Sequence, residues 1–138
     1  MSSTQLWRAM PEQIESLWPF VGPMIADSLK RASLMDEGFA RACLDKGAWQ
    51  LWVASDDTVR AIAITTIDDM PRGRLCTVIL CTGDGMAEWV RHLASIEEWA
   101  VWRGCVRIKA VTRPGWGRVM KDYRKTHVVL EKDLGNVE

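Results

Sequence analysis

Tyrosine occurs once and phenylalanine twice in the 138 residues, and neither sign of charge prevails: eighteen Lys and Arg stand against eighteen Asp and Glu. The zero balance argues against a chain-wide basic footprint for nucleic acid and leaves room only for local patches. No apolar run approaches the roughly 18 residues that a membrane-spanning helix needs. The opening MSSTQLWRAMPEQ lacks both the basic and the apolar stretch of a signal peptide, so a cytoplasmic protein is expected. Four cysteines are present, with no CxxC and no metal spacing. Cys76 and Cys81 fall five apart on one expected strand, hence on opposite faces, and all four read as buried, reduced thiols. His92 and His127 have no ligating neighbour at metal spacing on their own elements, so no metal is expected.

What the chain does have is tryptophan, eight copies of it. Each brings a large apolar area and one N–H that seeks an acceptor, which suits cores and interfaces alike. The length suits one domain over 1–138, with 135–138 a frayed tail.

Ile14, Leu17, Trp18, Val21, Ile25 and Leu29 recur at helical spacing after Pro11, but Pro19 and Pro23 predict a kink or a break. Ser33 and Asp36 look like a capping pair for a second helix that runs to Asp45 and closes at Gly47. The period then drops to two. Trp49–Ala54, Val59–Ile67 and Arg74–Thr82 read as three strands joined by short turns, an antiparallel meander. Asp68 and Asp69 fall in the second turn, where Asp bonds its own backbone. From about Met86 to Gly104, Trp89, Leu93, Ile96 and Ala100 mark a long helix with its apolar stripe. Cys105–Thr112 follows as a strand, and a strand–helix–strand crossover of this length makes the two strands parallel. RPGWGRVMKDY reads as a turn or short helix, and THVVLEKDL as a closing strand. Together these elements predict an α+β fold: a central mixed sheet, N-terminal helices, the meander, one βαβ crossover, and a short C-terminal helix plus strand.

This order, most specifically VILCTGDGMAEWVRHLASIEEWAVWRGCVRIKAVT, resembles the GNAT acyltransferase superfamily, whose members bind acetyl-CoA and acylate amines. It also resembles the small GNAT-like proteins carried on phage and prophage genomes. The resemblance implies cofactor contacts from the strand backbone at Val78, Ile79 and Leu80, and from the loop Gly83, Asp84 and Gly85 before the helix. The loop chemistry stands on its own terms as well: amides at a helix start lack intrahelical partners, carry partial positive charge and attract phosphate. Leu80 falls where the family has a basic or amide side chain. Asp84 fits an N-cap as well as it fits a cofactor loop. The family's acidic Tyr would fall near Arg118 or Val119, where there is none, and Tyr123 matches an aromatic packing position. The first strand is expected to be no longer than Gln5–Trp7.

Two functions follow from the resemblance. One is an acetyl-CoA-dependent N-acyltransferase acting on a small-molecule or protein amine. The other is a catalytically lapsed binding protein that works through protein contacts. Trp102 bears on the second: at 100° per residue it leaves the apolar stripe for the face of Arg91 and Glu98. Either another segment of the chain covers it or it meets a partner or a second copy.

Overall fold

Alternation of apolar residues produces a five-stranded sheet in the computed structural model, which describes residues 4–84, 86–112 and 114–135. The strands are β1 (Gln5–Ala9), β2 (Trp49–Ser55), β3 (Val59–Met70), β4 (Gly73–Gly83) and β5 (Cys105–Ala110), in spatial order 1-2-3-4-5. The first four pair antiparallel and β5 pairs parallel to β4. β1 is longer than expected because all five of its residues find partners on β2, from Gln5↔Ser55 to Ala9↔Leu51. Asp68 and Asp69 are strand residues opposite Leu75 and Arg74, so the turn is shorter than the sequence suggested. Arg74 Nε donates to Asp69 Oδ1 at 2.7 Å across that hairpin.

Helices α1 (Ile14–Ala32) and α2 (Glu37–Asp45) cover one face of the sheet, with a 3-10 turn at Pro11–Gln13 leading in. Ile14, Val21, Ile25 and Leu29 of α1 pack against Leu51, Val53, Ile62 and Ile64. Each such side chain contributes about 1.5–3 kcal/mol on burial. α1 is one helix of 19 residues, not two pieces. Pro19 and Pro23 are four apart and both exposed. The carbonyls that lose their donors belong to the exposed residues Glu15 and Pro19, where water is at hand to take the place of the missing bonds. Asp36 caps α2 by accepting from the Phe39 amide at 2.8 Å. Ser33 belongs to the end of α1, and its hydroxyl accepts from Met35 N.

On the other face lies α3 (Met86–Trp102). There the strands offer the small Ala54, Ala61 and Ala63, which leave room for the indoles of Trp52 and Trp89 beside Ile96. Trp89 and Ile96 are buried as expected, whereas Leu93 is only half-buried, because it points to the β5 side where the sheet gives out. His92 is buried too. Thr4 Oγ1 donates to Glu88 Oε1 at 3.1 Å, and His92 Nε2, 2.8 Å from the same hydroxyl, donates to it in turn. This pins the start of β1 to α3.

After a 3-10 turn at Pro114–Arg118, the expected closing strand is not formed. Residues 124–134 are exposed and without ladder partners, Leu130 and Leu134 among them. A strand exists only in a ladder. Met120 is buried and Tyr123 donates to Glu97 Oε2, so the preceding segment is held on the α3 side. The sequence period predicts an extended chain there, but the pairing is not made.

Candidate functional site

β4 contains the feature that shapes the site. Leu80 pairs with Ile64 and Val78 with Thr65, so Ile79 is an extra residue, a β-bulge. Side chains alternate with period two, and one extra residue swaps the faces of everything beyond it. Cys76, Val78 and Cys81 thus share the α3 face, while Leu80 turns to α1 and α2. This corrects the expectation that Cys76 and Cys81 lie on opposite faces. They are nonetheless free thiols, as are Cys43 and Cys105. Burial pushes the thiols of Cys76 and Cys81 up to about 12, so both stay protonated at neutral pH.

The second feature is a parting of strands. β5 accompanies β4 from Arg74↔Cys105 to Val78↔Ala110 and then ends, whereas β4 continues to Gly83. Beyond Val78 the β4 backbone has no strand among the described residues on its β5 side. Val78, Cys81, Trp89, Leu93, Ala110, Thr112, Trp116 and Met120 line the resulting gap, which keeps an apolar cavity of ≈ 20 Å³. Trp116 and Met120 come from the C-terminal turn, where Met120 N donates to Trp116 O at 3.0 Å. Their i, i+4 spacing was the only sequence sign of this wall. The Nε1–H of Trp89 is buried and has no acceptor among the described residues.

The six residues of the resemblance are thus dispersed. Val78 lines the gap, Ile79 forms the bulge and packs on the α1 side, and Leu80 is buried away from the gap. Gly83 ends β4 at φ +129, with the ideal Cβ position only 2.5 Å from Ala61 Cα and from Arg60 O. The neighbouring strand alone therefore demands glycine there. Asp84 is exposed and its amide donates to Arg60 O at 3.1 Å, tying the turn to β3. Gly85 lies outside the described residues. Tyr123 commits its proton to Glu97, and burial followed by that bond raises its phenol further above the usual range. Trp102 is 78% exposed, so no segment of the described chain covers it.

These elements, in this order and topology, make the fold of the GNAT acetyltransferases. The crystal structure of a probable acetyltransferase superposes with a TM-score of 0.71 over 97% of this chain and 99% of that one, at 11% identity. A predicted acetyltransferase from Clostridium acetobutylicum, solved with acetyl-CoA, gives 0.68 over 94% of this chain and 96% of that one, at 17% identity. The ribosomal-protein-alanine N-acetyltransferase of Brucella melitensis biovar Abortus 2308 gives 0.65 over 99% of both chains, at 14% identity. No family model and no curated protein matches the sequence. No helix among the described residues is long and apolar enough to cross a membrane, and none of their His, Cys, Asp and Glu side chains form a metal-holding group.

Proposed function

We propose that the protein is an N-acyltransferase, folded as one domain, that takes acetyl-CoA into the gap between β4 and β5. The observation that carries this reading is the end of pairing at Val78↔Ala110 while β4 runs on to Gly83 and into α3. A ligand in that gap meets free strand backbone at Ile79–Thr82, an apolar wall, and the unanswered indole N–H of Trp89. The backbone of Val78–Leu80 and the turn Gly83–Gly85 are the cofactor contacts we assign. When bound, acetyl-CoA would supply a thioester whose carbonyl an amine attacks: C–N forms as C–S breaks, and the amine's proton goes to the leaving thiolate or to water. The acceptor class is an amine, on a small molecule or a protein. The chain's own part is to hold the donor and exclude water; no side chain is assigned as acid or base. Four unbridged cysteines suit a reducing cytoplasm.

A ligand bound only by the native state stabilises it by mass action, about 2.7 kcal/mol at a hundred times Kd. Millimolar acetyl-CoA should therefore raise the melting temperature. Asp84→Asn should enlarge the rise, because it removes a negative charge from the turn where the pyrophosphate would lie. The absence of any shift in both proteins removes the enzyme reading.

Specific observations favour a second reading. The thiols on the gap side are held protonated, Tyr123 is engaged by Glu97, and Asp84 sets a carboxylate at the loop. On this reading the protein is a lapsed, phage-type member that binds a protein partner or a second copy through Trp102. Trp102→Ala should then shift its sedimentation toward smaller species while acetyl-CoA does nothing.

A further inference from the structure

The sheet end remote from Gly83 carries another concavity. β2 and β4 both run antiparallel to β3, so the first residues of β2 lie level with the first half of β4, away from Gly83. There the end of β1, the Pro11 turn, the end of α2 and Trp49–Leu51 enclose a cleft of ≈ 200 Å³. That is room for about seven waters at about 30 Å³ each, or a small organic molecule.

The lining holds two cations, Arg8 from β1 and Arg103 from just beyond α3, and no carboxylate. Both guanidiniums lie over one ring, that of Trp99, at 5.7 Å for Arg8 and 5.3 Å for Arg103. Trp99 stands edge-to-face on Trp52 at 5.1 Å, which fixes the platform. The arginines that find carboxylates among the described residues are Arg31, Arg41, Arg60, Arg74 and Arg91. Arg8 and Arg103 are not among them, although both are half-buried. The buried Nε1–H of Trp99 likewise has no acceptor there. Two guanidinium forks and an indole N–H therefore gather at one aromatic ring with no carboxylate among the described residues to receive them. Contact with the indole face holds a guanidinium in place, so little order is lost when it takes a two-oxygen acceptor.

We propose that this cleft binds a small oxyanion on an apolar body, a carboxylate or a phosphate monoester. Arg8 and Arg103 take the oxyanion, and Pro11, Ile14 and Leu44 the apolar part. The site lies at the other end of the sheet from the β4–β5 gap and does not depend on the reading of that gap.

Benzoate and phenyl phosphate are the probes, titrated into the full chain at low salt. The readout is the Trp99 indole N–H resonance, assigned by its loss in Trp99→Phe. At least one probe should shift it saturably, and the tighter of the two tells carboxylate from phosphate. Arg8→Met and Arg103→Met keep the apolar stem and should each weaken binding about tenfold or more, as loss of a charge-assisted bond does. Arg103→Lys keeps the charge without the fork and should fall between, which guards against a variant that fails to fold. Arg41→Met is the control: its guanidinium also lies over an indole, that of Trp18 at 5.0 Å, but it is paired with Asp45. The proposal is overturned by an unsaturated titration, by undiminished affinity in the Arg8 and Arg103 variants, or by an equal loss in Arg41→Met. The acetyl-CoA melting shift should persist in Arg103→Met, which keeps the two sites' outcomes apart.

Discussion

Replacing Gly83 with alanine separates two reasons for a glycine at the end of β4. A glycine kept for a ligand's approach tolerates a methyl in the free protein. A glycine kept for β3 does not. The backbone sits at φ +129, where an L side chain is strained by about 1–3 kcal/mol. The new Cβ would stand 2.5 Å from Ala61 Cα and Arg60 O and 2.6 Å from Ala61 Cβ. Two of these are backbone atoms in a strand paired on both sides, so relief requires moving the ladder, an overpacking cost of about 1–3 kcal/mol more. The expected loss is therefore about 2–6 kcal/mol, a large share of the roughly 5–15 kcal/mol that holds a domain folded. Urea unfolding followed by tryptophan fluorescence measures it by linear extrapolation. Gly117→Ala is the reference, since nothing lies within 4 Å of its Cβ position. A loss below about 1 kcal/mol at Gly83, in the range of mild substitutions, would refute the argument from β3.

Ile96, fully buried, should lose about 2–5 kcal/mol on change to Ala, and Leu93, half-buried at the gap, distinctly less; equal losses in the same urea assay would mean that the helix face is misassigned. Burial first, then Arg91, lowers the His92 imidazole below 6.5, so its contribution to stability is present above pH 6.5 and is lost as pH falls through the folded value. The melting temperature should drop on that acidic side and the drop should shrink in His92→Gln; superimposable profiles count against the buried neutral imidazole. Cys76 and Cys81, protonated to about pH 12, should resist a thiol reagent in the native protein at pH 8 and react once it is unfolded in urea. Rapid native labelling at either position, located by mass spectrometry, contradicts their burial.

Much of the sheet was legible in the sequence because β2 and β3 alternate cleanly: Leu51 and Val53 against Trp52 and Ala54, Ile62 and Ile64 against Ala61 and Ala63. α3 was legible for the same reason at period 3.6. The bulge was not, because V-I-L-C is apolar at every position and two covered faces leave no polar mark of parity. The prolines of α1 misled because a local rule was applied without knowing that Glu15 and Pro19 face water. At the candidate site, the glycines and the helix start could be read directly. The strand parting, the wall of Trp116 and Met120 and the clash that makes Gly83 obligatory are tertiary facts. The pairing of Arg8 with Arg103 on Trp99 joins residues 95 apart in the chain, beyond any local pattern.

Ile79 also sets a rule for length changes in this protein. Removing that one residue would restore an unbroken zigzag with every other residue of β4 kept on its present face: Val78 under α3, Leu80 under α1, Cys81 under α3. A loss of one residue elsewhere in β4, with the bulge kept, is a change of two cores at once, whereas loss of Ile79 itself removes a single side chain from the α1 side. Length variation along β4 should accordingly be tolerated as loss of the bulge residue itself, or in steps of two elsewhere.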